Sequence, residues 1–149
     1  QIVQNKDHIV IITEMVHDAR IVKLGEKPHV PDQIGLWTGD SLGYWEGDSL
    51  IVETRNFNGL TNTFSFFGSS ENKHLVEKFT RVAHDQIDYE FTINDPYTFT
   101  DKIVGLIPIY KVAGQIYEYA CHEGNYGMVN ILRGARVQEE LEKRNQLSN

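Results

Sequence analysis

At 149 residues the chain has room for one domain that buries roughly two-thirds of its unfolded surface, and 40% apolar with 23% charged residues argues against disorder. A net charge of −7, with no Lys/Arg stripe, leaves no basic surface for nucleic acid. The longest apolar runs, such as Ile9–Ile12 and Val104–Ile109, fall far short of a membrane span.

His8 to Val16 and Ala19 to Leu24 predict a strand pair broken at His17-Asp18. Gly25 to Ser41, with Pro28 and Pro31, is a long loop. Tyr44 to Val52 predicts a strand, a Gly47-Asp48 turn and a second strand, glycine supplying the positive φ a hairpin turn demands. A second long loop, Asn56 to Asn72, carries Phe64, Phe66 and Phe67, which suits either a binding lid or a plug at a barrel mouth.

The clearest strand is Gln86 to Asn94, where Ile87, Tyr89, Phe91 and Ile93 alternate with Asp88, Glu90, Thr92 and Asn94. Leu75 to Val82 is its expected partner through Ala83-His84-Asp85, and Asp95-Pro96 stops the run. Ile103 to Val112 and Gln115 to His122 predict a last pair turning at Ala113-Gly114, and Val137 to Asn145 a charged C-terminal helix. The expected fold is therefore all-β: an antiparallel up-and-down meander of about eight strands over residues 1–136, followed by a helix or tail at 137–149. Eight strands close into a barrel around one small ligand; a two-sheet sandwich is the alternative.

Cys121 is the only cysteine, so no disulfide forms within the chain. The start at Gln1 suggests a removed leader or a longer precursor. Gly39-Asp40-Ser41-Leu42 and Gly47-Asp48-Ser49-Leu50 both spell the nucleophile block of a lipase/esterase family, but no strand–helix alternation accompanies them and the second sits in a hairpin turn. The six histidines show no H-x-H or H-E-x-x-H spacing, so metal ligands are expected to be none, with a site assembled from distant strands as the alternative.

Polar residues on apolar strand faces carry the candidate chemistry. Glu14 is expected on the face of Val10, Ile12 and Val16, with Arg20 as its partner and His17 beside it. A carboxylate in that position is either desolvated, which makes an acid–base group, or fixed by a cation. Glu77 and Arg81 flank Phe79, and Glu118 alternates with Ile116 and Ala120 toward His122. The bland interpretation of each is a structural ion pair.

The strings Glu14-Met15-Val16-His17-Asp18-Ala19-Arg20, Lys27-Pro28-His29, Tyr44-Trp45-Glu46-Gly47-Asp48, His74-Leu75-Val76-Glu77 and Tyr117-Glu118-Tyr119-Ala120-Cys121-His122-Glu123 together resemble a large family of uncharacterised, typically exported bacterial proteins. The resemblance covers nearly the whole chain, carries no transferable activity, and implies a periplasmic or secreted location. The W-E-G-D hairpin is similar to segments of lipocalin-like, calycin barrels, a fold-level analogy.

Three functions follow as expectations. The first is a cofactor-independent acid–base enzyme (lyase, isomerase or cyclase) acting on a small organic molecule in the barrel cavity. Glu14, His17, Arg20, Glu118 and His122 are its catalytic candidates, and Glu77, Arg81, His74, Trp45, Phe66 and Phe67 its binding candidates. The second is a non-catalytic carrier of a hydrophobic or aromatic ligand. The third is a metal-dependent barrel using His17, His29, His74 or His122. In each the partner is a small molecule, and homo-oligomerisation stays open.

Overall fold

A computed structural model describes residues 1–60, 68–120, 124 and 126–147. Eight strands form one sheet in sequence order: β1 (Ile2–Gln4), β2 (His8–Ile12), β3 (Ala19–Leu24), β4 (Asp40–Glu46), β5 (Ser49–Arg55), β6 (His74–Ala83), β7 (Gln86–Asn94) and β8 (Ile103–Tyr110). The sheet curls into a half-barrel. By chain contacts, Gln1–Ile116 is one compact unit holding the sheet, and Tyr117–Asn149 is a second holding helix α1 (Tyr126–Leu147).

Every neighbouring pair is antiparallel except β3 and β4, which run parallel with Val22 opposite Ser41 and Leu24 opposite Gly43. This corrects the expected all-antiparallel meander. The cause is the loop from Gly25 to Gly39, long enough to return the chain so that β4 enters in the direction of β3. Leu36 anchors the return: its amide donates to the Asn56 carbonyl at 2.8 Å, and its carbonyl accepts from the Asn58 amide at 3.0 Å.

The β4–β5 hairpin turns at Gly47, whose φ of +60° is the conformation its lack of a Cβ permits. At the parallel seam glycine serves differently. A Cβ at Gly43 would lie 2.8 Å from Val22 Cγ1 and 3.1 Å from Leu24 Cδ2, so only glycine lets β4 approach the core here. Gly43→Ala is expected to cost about 1–3 kcal/mol by overpacking, read as a lowered urea midpoint with an unchanged slope.

Alternation along the strands divides the sheet into two faces. Ile9, Val22, Leu50, Val52 and Phe79 form the buried core on the concave face, with Ile11, Leu24, Ile87 and Tyr89 packed against them. The core thus fills the middle of the half-barrel.

Two predicted strands end differently from expectation. β2 stops at Ile12 because the chain turns: the Thr13 amide donates to the Asp18 carbonyl at 3.0 Å, and a 3-10 turn occupies Met15–His17. Glu14 therefore leaves the apolar stripe and is exposed. The segment from Ile103 pairs with β7, from Ile93–Ile103 to Gln86–Tyr110, and not with residues 115–120, which form no strand. β7 is the best strand in the sequence and still offers a free edge after pairing with β6; the alternation at 116–120 is too short to compete. Helix α1 begins well before Val137, in a stretch whose Gly127, Asn130 and Gly134 weaken the helical signal. Among the described residues no helix is long and apolar enough to cross a membrane.

Candidate active site

Two polar clusters lie on opposite faces of the sheet. On the concave face, Arg20 of β3 reaches Glu77 of β6 in a two-pronged ion pair, Nη1–Oε2 at 2.7 Å and Nη2–Oε1 at 2.9 Å. The two strands are separated by β4 and β5, roughly 14 Å along a flat sheet at the usual spacing, so the contact exists because the sheet curls. The Tyr89 hydroxyl donates to Glu77 Oε1 at 2.8 Å, and Glu77 is only 3% exposed. Burial, then the adjacent Glu77 carboxylate, pushes the Tyr89 phenol well up, so it stays a donor. Arg20 is thus held by Glu77, and the expected Glu14–Arg20 pair does not form. Both carboxylate oxygens are engaged by protein groups. This cluster is a clamp across the half-barrel.

On the convex face Asp40, the first residue of β4, is a buried carboxylate with three donors. Lys23 Nζ lies at 2.6 Å, the Val30 amide at 3.0 Å and His29 Nδ1 at 3.1 Å. The parallel register explains Lys23: it stands opposite Leu42, on the same side of the sheet as Asp40 two residues earlier. Burial pushes the Asp40 carboxyl up, but Lys23, the Val30 amide and His29 together outweigh it and hold the pKa below its ordinary value. Asp40 is therefore ionised at neutral pH and can only accept, so Nδ1 of His29 carries a proton and, in the neutral ring, Nε2 presents the lone pair. Asn56 pins the loop behind His29, its Nδ2 donating to Val30 O at 3.3 Å and Pro31 O at 3.1 Å.

The strands beside Asp40 extend this face. His74 at the start of β6 brings Nε2 to 3.5 Å from Glu53 Oε2, and the Tyr44 hydroxyl donates to Glu53 Oε1 at 3.4 Å. Burial, then the nearby Arg55 guanidinium, lowers the His74 pKa, with Glu53 opposing only in part. A neutral imidazole at that distance is a near approach, not an ion pair, and His74 Nε2 is buried with no hydrogen-bond partner among the described residues. A cleft of about 540 Å³ opens here, lined by Glu26, Lys27, His29, Tyr44, Glu53 and Arg55 among others. A second, of about 850 Å³, is lined by Asp32, Arg55, Asn56, Lys73 and His74 among others.

The residues named from sequence scatter. His17 is exposed, with a φ of +43° in its turn. Trp45 is half-exposed on β4, and Arg81 is spent on the β6–β7 turn, donating to the Ala83 carbonyl at 3.2 Å and the His84 carbonyl at 3.0 Å. Glu118 is exposed outside any strand, in the second unit. His122, Phe66 and Phe67 lie outside the described residues. Only Arg20 and Glu77 meet, and His74 sits on the other face of β6. No sequence pattern marks Lys23, Glu53 or Arg55, and Asp40 stands out only within a serine-nucleophile motif. Among the described residues no group of three or more His, Cys, Asp or Glu side chains is placed to hold a metal ion. No protein-family model, curated protein or solved structure matches this chain.

The His74 environment sets a pH dependence. Its folded pKa lies below the unfolded value of 6.5, so the unfolded chain binds more protons. Stability from this group is complete above that pH and is lost as the pH falls below it toward the folded value. Unfolding midpoints measured from about pH 8 down to about pH 5 should decline in the wild type, and His74→Gln should flatten that decline. An unchanged slope in the variant would assign the decline to other groups.

Proposed function

We propose that the chain is a cofactor-independent acid–base enzyme of lyase, isomerase or cyclase type, acting on a small organic molecule. Its site is the convex-face cleft at His29, a change from the barrel interior expected from sequence. The observation that carries this reading is the Asp40–His29 contact: a buried, ionised carboxylate that fixes the imidazole tautomer and leaves Nε2 bare beside a cleft. His29 Nε2 takes a proton from a carbon next to a carbonyl. Asp40 stabilises the resulting imidazolium, and Lys23 keeps Asp40 ionised. Tyr44 lines the same cleft, and burial, then Glu53, raises its pKa, so it is present as the phenol; its one hydroxyl proton, directed at Glu53 at 3.4 Å, turns to the developing enolate.

The test is exchange. The protein is incubated in deuterium oxide with a panel of small ketones and 2-oxo acids, and loss of the α-proton signal is followed by NMR. The expected result is exchange by the wild type on at least one member and none above background by His29→Gln. Equal exchange by both proteins would sink the reading.

The carrier reading retains one observation in its favour. A groove of about 930 Å³ at one end of the half-barrel is lined by Ile2, Ile87, Ile109 and Tyr110, with Arg81 at its side. Tight binding of an apolar fluorophore there, undisturbed by His29→Gln and accompanied by no exchange chemistry, would favour a carrier. The resemblance to calycin barrels stays a fold-level analogy, and a periplasmic or secreted location is what the resemblance to the exported bacterial family implies.

A further inference from the structure

We infer that the molecule taken by this site bears a carboxylate, and that Arg55 holds it. This rests on the acid–base reading of the same site and names its substrate class. Arg55 ends β5 and stands directly opposite Asp40 in the β4–β5 register. An arginine facing a carboxylate across two strands ordinarily pairs with it. Here both Asp40 oxygens are engaged, Oδ1 by Lys23 and Oδ2 by His29 and Val30, so the guanidinium is left over. In a chain with 21 acidic and 14 basic residues, Arg55 has no ion pair or hydrogen bond among the described residues. It is exposed and lines both convex-face clefts, one shared with His29 and the other with His74.

A planar guanidinium binds a carboxylate through two parallel hydrogen bonds, which fixes the orientation of what is attached to it. With the acid end on Arg55, the adjoining carbon is directed into the cleft that His29 lines. The same cleft also contains Glu26 and Glu53. Set against these two carboxylates, the Arg55 guanidinium and the Lys27 ammonium leave the cleft with no net positive charge, which disfavours a doubly charged phosphate more than a singly charged carboxylate, so the class is a small carboxylic acid.

The test is binding, read without turnover. The full chain is titrated with propionate, with propionamide of the same shape, and with inorganic phosphate, following the Arg55 side-chain N–H and the His29 ring signals by NMR. Propionate is expected to move both sets saturably, and the amide neither. Arg55→Gln should weaken propionate binding by about tenfold or more, and Arg55→Lys by less, because it keeps the charge and loses the fork. Equal responses to acid and amide, tighter binding of phosphate, or an Arg55→Gln variant with unchanged affinity would each overturn the inference. The Lys variant guards against a folding defect in the Gln variant. If His29→Gln binds propionate normally while the wild type exchanges no α-protons, the acid–base reading fails and the anion site stands. If the wild type exchanges neutral ketones but propionate fails to bind, the reverse holds.

Discussion

Arg20→Met is expected to destabilise the sheet by about 3–5 kcal/mol, the cost of leaving a buried carboxylate without its cation. Glu77 would keep only the Tyr89 hydroxyl, at a position with almost no access to water. The double variant Arg20→Met with Glu77→Leu is expected to recover most of that loss, because it removes both charges and extends the apolar surface formed by Val22, Val52 and Phe79. Tyr89 then lacks an acceptor, so adding Tyr89→Phe should recover more. Urea denaturation of the three variants measures this directly. A single variant within about 0.5 kcal/mol of wild type would show that the clamp contributes little.

Asp40→Asn is expected to lower any turnover by about two to four orders of magnitude. The substitution keeps size and shape but gives the side chain an amide that can donate. Once that amide donates to Nδ1 of His29, the proton must sit on Nε2, and the base is gone. His29→Gln should cost a similar amount, and the two together little more than either, because they remove one unit. Asp40→Asn also has a stability signature. The folded pKa of Asp40 lies below its ordinary value of 3.8, so its contribution is present above that pH and lost as the pH falls through the folded value. The variant should therefore be less stable near neutrality, where Lys23 and His29 lose their acceptor charge, and converge on wild type in strong acid. A turnover loss much smaller than tenfold would remove Asp40 from the chemistry.

What is legible in the sequence is the local part of the fold. The alternation from Gln86 to Asn94 forms β7, and the Tyr44–Val52 run forms the β4–β5 hairpin with its turn at Gly47. The strands from β2 to β8 follow from the same periodicity, whereas β1 carries no such signal and the strand expected from Gln115 does not form over residues 115–120. The parallel β3–β4 seam does not follow from periodicity, because it is set by the path of the loop between Leu24 and Asp40, which has no period. The true partner of Arg20 is hidden for a related reason: Glu77 is 57 residues away, and only the curl of the sheet brings them together. Glu14 looks equivalent only if the strand is extended past Ile12, where Thr13 and Asp18 in fact close a turn.

The candidate site is less legible than the fold. His29 reads as one of six unpatterned histidines, in a loop where periodicity says nothing about direction. Asp40 stands in a familiar tetrapeptide that draws attention to Ser41, whose hydroxyl is instead buried against Thr54 Oγ1 at 2.8 Å. The pair becomes visible only when β4 is laid parallel to β3, which puts Lys23 and His29 around one carboxylate.

The central claim is that Asp40 holds His29 in one tautomer with Nε2 free. Long-range nitrogen–proton correlation NMR of the wild type, at a pH where the ring is neutral, reads that state directly. The expected spectrum shows the proton on Nδ1 and an unprotonated Nε2, with the pattern reversed in Asp40→Asn. A proton on Nε2 in the wild type, or a spectrum unchanged by the substitution, would contradict the account.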